Sequence, residues 1–485
     1  MIALVPITLV LIVLLALIVI LVFRARGPAW APPPCGVEPG EVDVHRAAEG
    51  LAGYLAIDTS IPPGQASWPT QDGEQAWQRY LLDGWVRPLE LEHRVLPGGS
   101  LAIFVPGDDP RPPVLFLDHA DVVPVADDER ARWSHPPFGG VVADGFVWGR
   151  GALDNKGCVI MALEALRMLG EQGRSPSRRL VLLVTPDEEV NGQGGSGRVV
   201  REHLEDLGSP SVVLDEGSFV LPDFYAGLTV AAVAVAEKTF LRVNLRVEGE
   251  AGHASMPGPD TPSAVLARAL QRIADWQPPA ELLPPLRETL WRLGGAEGFP
   301  KSLVLRNPWL FRSVLLGILQ RTTAGNAVIR DTAAITVVRA GAKENVLPAI
   351  ACATVNARLL PGHEPEAFLQ QLARRIADPR VMLEMKTWPG LDRMGTWTTP
   401  TFQAIEAAIA ATVGPLEHPL VVAPVVTPGT TDSRYYTEAG LEAYGFHPLL
   451  LDARERAGIH GIDERISLDN LARGTRYYQV LFQLL

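Results

Sequence analysis

Cysteine is scarce: Cys35, Cys158 and Cys352 are the whole supply in 485 residues, far apart and without a C-x-x-C pair. That argues against a disulfide framework and against a thiolate zinc site, so any metal here has to use histidine and carboxylate ligands. Blocks of lysine and arginine are missing too, and the formal net charge is −12. A nucleic-acid partner is thereby disfavoured, because binding phosphates needs a basic face. No internal repeat or low-complexity tract follows the first forty or so residues. What is present is 47% hydrophobic and 20% charged, with abundant Gly and Pro. This composition suits a globular α/β protein, and the length suits two domains plus an appendage.

The appendage comes first. Ile2 to Phe23 is an almost unbroken apolar run, interrupted by Pro6 and Thr8. About 20 such residues suffice to span a bilayer, so residues 1–24 are expected to form one transmembrane helix, a single-pass anchor. A cleaved signal peptide is the rival reading. Ala29-Trp30-Ala31 resembles a cleavage box, but Pro32 follows it and no basic residue precedes the run. Arg24 and Arg26, just past the run, favour a cytoplasmic body by the positive-inside rule. Residues 25–41 read as a Pro/Gly stalk.

The body begins near Val42. Val114–Leu117 and Leu180–Val184 are short continuous apolar runs, the signature of strands buried on both faces. Between them Ile160, Leu163, Leu166 and Leu169 recur at helical spacing, which makes a βαβ unit and an open, mostly parallel sheet. From Phe240 to Glu248 the pattern changes to alternation, with Leu241, Val243, Leu245 and Val247 on one face. Alternation means a sheet with one wet side. The expected plan is a catalytic α/β domain over 42–237 and 390–485, with an α+β lid inserted at 238–389.

Candidate chemistry gathers where the buried strands end, the place where open α/β sheets hold ligands. His119 can ligate zinc, and Asp121 can accept its other ring N–H. Asp154 sits in a glycine-flanked loop before a helix; it reads equally as an N-cap or as part of a binding loop. Asp187-Glu188-Glu189 places three carboxylates at one strand mouth, costly without a cation, although an acidic solvated turn is the alternative. Asp215-Glu216-Gly217 repeats the theme, and His460 adds a late histidine. Histidines and carboxylates without cysteine suit zinc or another borderline divalent ion.

Several motifs taken together are recognisable: H-A-D-V-V-P at His119, G-R-G-A-L-D-N-K-G ending at Gly157, D-E-E at Asp187 and G-H-A-S-M-P at Gly252. N-V-L-P at Asn345, G-T-T-D-S-R at Gly429 and G-I-H-G-I-D-E-R at Gly458 complete the series. In this order they resemble the dinuclear-zinc carboxypeptidase/aminoacylase family (peptidase family M-twenty), in its branch of Gly-Xaa carboxypeptidases and N-fatty-acyl amino acid hydrolase/synthases. The resemblance implies two zinc ions per chain, one on His119 and Asp215, the other on Glu189 and His460, with Asp154 bridging. It makes Glu188 the general base that takes a proton from a zinc-activated water, and Asp121 the support of the first histidine. Asn345 and Arg358 would hold a substrate carboxylate, with Thr430 and Arg434 lining the pocket. His253 would donate to the amide carbonyl, from the partner subunit of a homodimer with a ferredoxin-like lid.

The function so implied is hydrolysis of an amide next to a free carboxylate, in an N-acyl amino acid or a short peptide. Two alternatives stay open: a desuccinylase or deacylase of the same family, and a membrane-tethered metal-binding protein without catalysis. Relatives in this branch are secreted or lumenal, so the side of the membrane is open too.

Overall fold

The computed structural model describes residues 4–62, 64–65, 71–225, 227–387, 394–414 and 416–485, excepting the side chains of 4–14, 71–75 and 223. Its core explains the continuous apolar runs by parity. Val114 and Phe116 face one layer of helices, and Leu115 and Leu117 face the other. Leu180, Leu182 and Val184 go to the first layer, Val181 and Leu183 to the second. Each of these side chains is buried, and each contributes about 1.5–3 kcal/mol by leaving water. Helices Val44–Leu55, Lys156–Glu171 and Leu468–Leu484 form the first layer; Ser196–Glu202 and Ser433–Glu438 belong to the second.

The strands lie in the order Glu92–Val95, Leu101–Val105, Arg178–Thr185, Asp109–His119, Val212–Asp215, Glu442–Gly445, Leu228–Glu237 and Leu420–Thr427, with Val220–Tyr225 also paired to Leu228–Glu237. The expectation of a mostly parallel sheet needs correcting. Parallel pairing holds from Arg178–Thr185 to Glu442–Gly445 and again between Leu228–Glu237 and Leu420–Thr427, and the other neighbours are antiparallel. At the sheet's edge the physical reason is a short connection. Glu92–Val95 and Leu101–Val105 are joined by a tight turn through Gly98 and Gly99, both at positive φ, and such a turn permits only an antiparallel pair.

The alternating segment Thr239–Glu248 buries every second residue, as its pattern requires. It pairs antiparallel with Ile350–Leu359 and Val381–Thr387, and Thr332–Ala340 completes a four-stranded sheet. Helices Pro262–Ala274 and Pro365–Ile376 cover one face, closing a core around Leu241, Val243, Val265, Val355 and Phe368. In chain order the four strands lie 4-1-3-2, the βαββαβ arrangement of ferredoxin-like folds. Helices between residues 284 and 328 leave this sheet. Leu290, Leu293, Leu305 and Leu315 pack on Val230, Ala232, Val421 and Ala423 of the large sheet. The expected boundary at 389/390 lies outside the described residues.

At the N-terminus a helix runs over Leu4–Ala25. The expected membrane span is not supported by the structure: among the described residues no helix is long and apolar enough to cross a membrane. Met1 to Ala3, and side chains up to residue 14, lie outside the described residues. The segment after the helix has no regular structure but is held to the body, with Arg306 Nη1 donating to Gly27 O (2.6 Å) and Gly40 N to Gln479 Oε1 (2.9 Å).

Candidate metal centre

Strand ends and loops converge on one spot. His119 is the last residue of its strand, Glu188 and Glu189 follow Arg178–Thr185, and Glu216 follows Val212–Asp215. Asp154 precedes the helix Lys156–Glu171, and His460 lies in the loop before Arg465–Ser467. The two oxygens of Asp154 face different imidazoles: Oδ1 is 3.0 Å from His119 Nε2, and Oδ2 is 3.2 Å from His460 Nε2. Glu189 Oε1 stands 3.0 Å from the same His460 nitrogen, and Glu216 Oε1 3.8 Å from His119 Nε2. Two triads result, His119/Asp154/Glu216 and Asp154/Glu189/His460, sharing Asp154.

The surroundings orient these groups. His119 Nδ1 lies 2.9 Å from the backbone oxygen of Asp121, so that nitrogen donates and Nε2 is left to bind. The Asp121 carboxylate accepts the backbone N–H groups of Glu188 (3.1 Å) and Glu189 (2.9 Å), fixing the acidic pair relative to the histidine. Glu464, fully buried, pairs with Arg150 (2.7 Å) and accepts Leu153 N (2.9 Å), which holds the Asp154 loop.

Asp215 does not join either triad, contrary to the sequence reading. Its Oδ2 accepts Thr431 Oγ1 (2.8 Å) and Ser433 N (2.9 Å), and its Oδ1 accepts Glu216 N (2.8 Å). Successive side chains leave a strand on opposite faces, so the neighbour Glu216 takes the place beside His119. Nothing in D-E-G says which acid faces inward; the partner loop that decides it lies more than two hundred residues on.

The electrostatics match a cation site. Burial pushes the Glu216 carboxyl well above the usual range, with Asp154 adding to the effect. Burial likewise raises Glu188, with the nearby His119 opposing and the acids around it reinforcing. Hydrogen bonds to Asp154 and Glu189 lift His460 to about 10. The carboxylates therefore draw positive charge onto the imidazoles, a demand that divalent cations meet.

Beside the triads opens a cavity of about 430 Å³, lined among others by Glu188, Phe219, Phe240, Arg358, Thr430 and Arg434. Arg358 Nη1 donates to Thr430 Oγ1 (2.6 Å), and its guanidinium lies 4.6 Å from the centre of the Phe240 ring. Arg434 is committed to backbone oxygens of Thr431 (2.8 Å) and Asn191 (2.9 Å). His447 also lines the cavity, and neither of its buried ring nitrogens has a hydrogen-bond partner. His253 and Asn345 are elsewhere. Both are exposed at a small two-stranded ladder, Gly252–His253 with Val346–Leu347, and neither lines this cavity.

Comparison with known proteins gives a consistent picture. The model of peptidase family M20/M25/M40 matches residues 115–483. An N-fatty-acyl-amino acid synthase/hydrolase of Mus musculus is 33% identical over 400 residues, 80% of this chain and 77% of that protein. A probable carboxypeptidase S-like protein of Dictyostelium discoideum is 32% identical over 385 residues, 78% and 72% of the two chains. Among solved structures, an M20 family metallo-carboxypeptidase from Sulfolobus solfataricus superposes with TM-score 0.66 at 15% identity, covering 90% of this chain and 98% of that one, which shows the fold.

Proposed function

Because this chain belongs to peptidase family M20/M25/M40, we propose that it is a two-zinc hydrolase of an amide bond next to a free carboxylate, in N-acyl amino acids or short peptides. The observation that carries this reading is Asp154, whose two oxygens each face the imidazole of a separate triad at the mouth of a cavity containing Arg358. His119, Asp154 and Glu216 would hold one ion; Asp154, Glu189 and His460 the other. Zinc bound there would supply Lewis acidity and a nucleophilic water at neutral pH.

The chain's own groups do the rest. Glu188 belongs to neither triad and lines the cavity, so its carboxylate is free to take a proton from the attacking water and deliver it to the leaving amine. Arg358 presents guanidinium N–H donors to a substrate carboxylate, braced by the Thr430 hydroxyl, which accepts from Arg358 (2.6 Å) and donates to Lys238 O (2.9 Å). Phe219 and Phe240 offer apolar surface to the acyl part. His253 and Asn345 are assigned to the cavity of a second copy in a homodimer; their exposure in one chain is what supports this. The N-terminal run Ile2–Phe23 as an anchor rests on sequence alone.

Elemental analysis tests the metal assignment. The purified protein should hold about two zinc ions per chain, and His119→Ala or His460→Ala should each lower the content. Full loading of both variants would refute the ligand sets. The two neighbouring acids should separate in the same assay. Glu216→Gln should weaken zinc binding by about tenfold or more, since a neutral amide is a poor ligand. Asp215→Asn should chiefly destabilise the fold, by about 1–3 kcal/mol, because buried donors of Thr431 and Ser433 lose a charged acceptor. Thermal denaturation reads that second effect, and metal loss in Asp215→Asn alone would restore Asp215 as the ligand.

A further inference from the structure

Residues 298–330 differ from the rest of the chain. They contain no acidic residue in a protein whose net charge is −12, and of their basic residues Lys301, Arg312 and Arg321 are exposed while Arg306 and Arg330 are buried. Their apolar side chains are also misplaced for a water-facing surface. In the helix Arg312–Leu319, Leu315 points into the core, while Val314 and Ile318, four residues apart on the outward face, are 52% and 54% exposed. A helix at a water boundary carries polar residues there. Trp309 and Leu310, just before it, are 56% and 45% exposed.

The last turns of the N-terminal helix dock on the same region. Arg24 Nη2 donates to Arg306 O (3.2 Å), and Asn307 Nδ2 to Leu21 O (3.4 Å). Ile18, Val19 and Phe23 on that helix are exposed as well. Between the two elements is a second cavity, of about 460 Å³, whose lining includes Arg24, Arg287, Arg312, Trp291, Trp309 and Trp397. Glu288 also lines it, but that carboxylate pairs with Arg292 (2.8 Å). Each of the three lining arginines spends donors on a backbone oxygen, of Arg306, Leu282 and Ala280 respectively, and a guanidinium has five N–H groups to give.

We propose that residues 298–330 and the end of the N-terminal helix form one surface that lies on a bilayer containing anionic lipid, with the arginine- and tryptophan-lined cavity receiving a lipid phosphate. Tryptophan and arginine at the edge of an apolar face are the residues that settle at a membrane interface, and basic side chains there are drawn to anionic headgroups. A second copy is the rival occupant. Face to face, it would set this cationic patch against its own like, which a self-complementary interface disfavours. The proposal does not depend on the hydrolase reading, nor on whether residues 1–24 cross the bilayer.

The test uses the full chain with Cys35→Ser and Cys352→Ser, and an environment-sensitive fluorophore on Val314→Cys or Ile318→Cys. Met382→Cys, exposed on the lid, is the control. In vesicles of phosphatidylcholine and phosphatidylglycerol, spin-labelled lipid should quench the first two probes by about half or more and leave the control near its unquenched intensity. Spin-labelled phosphatidylglycerol should quench more strongly than spin-labelled phosphatidylcholine, and Arg24→Gln with Arg312→Gln should erase that difference. Equal, weak quenching at all three positions would overturn the docking surface, and equal quenching by the two lipids would overturn the phosphate site. Self-quenching between detergent-solubilised chains, without quenching by lipid, would assign the face to a second copy instead.

Discussion

Glu188→Gln is expected to keep its metal and lose turnover by about 10²-fold or more, the usual contribution of a positioned general base. The substitution preserves shape and leaves the backbone N–H of residue 188 on Asp121 Oδ1, so the acidic turn has no reason to move. What it removes is a carboxylate that borders the cavity without belonging to either triad. An amide cannot accept the proton of the attacking water, and about 2.7 kcal/mol of barrier corresponds to that hundredfold loss. Glu189→Gln should behave in the opposite way. Its carboxylate stands 3.0 Å from His460 Nε2 within a triad, so zinc content should fall first and activity with it. Elemental analysis and kcat on both variants decide the matter, and reversed phenotypes would exchange the roles of the two glutamates.

Much of this arrangement is legible in the sequence because it rests on local pattern. Runs such as Val114–Leu117 are apolar throughout because helices cover both faces of their sheet, and Thr239–Glu248 alternates because only one face of its sheet is covered. Periodicity carries that information directly. It does not carry pairing direction, so the hairpins at the sheet's margins leave no such trace. Nor does it show where a helix packs after the chain turns: residues 284–328 follow the helix Pro262–Ala274 of the four-stranded sheet in sequence but lie on the large sheet. The site divides along the same line. His119, Asp154, Glu189 and His460 stand at strand ends or in loops and converge, whereas the choice between Asp215 and Glu216 depends on Thr431 and Ser433. Glu464 carries no local signal of its role, because its partners, Arg150 and Leu153, are distant in the chain.

Replacing the free carboxylate of a substrate by an amide is expected to lower kcat/KM by roughly 10²-fold, if Arg358 is the group that holds it. A hydrogen bond to a charged group contributes about 1.5–3 kcal/mol, and leaving a guanidinium unpaired in a closed site adds to the loss. The structure separates the two candidate arginines. Arg434 is buried, and both of its terminal nitrogens donate to backbone oxygens, of Thr431 and Asn191, which ties its guanidinium to the loop. Arg358 lines the cavity, bonds the Thr430 hydroxyl and lies over Phe240, which leaves a flat, braced fork of donors toward the substrate. Arg358→Ala should therefore slow the free acid by the same hundredfold and scarcely affect the amide, so that the preference collapses. The measurement is kcat/KM for one N-acyl amino acid and its amide on both proteins. Equal rates on the two substrates with the unsubstituted enzyme would favour a desuccinylase-like pocket, which recognises a different part of its substrate. A preference that survives Arg358→Ala would move the carboxylate site to Arg434, at the expense of the loop contacts that Arg434 now makes.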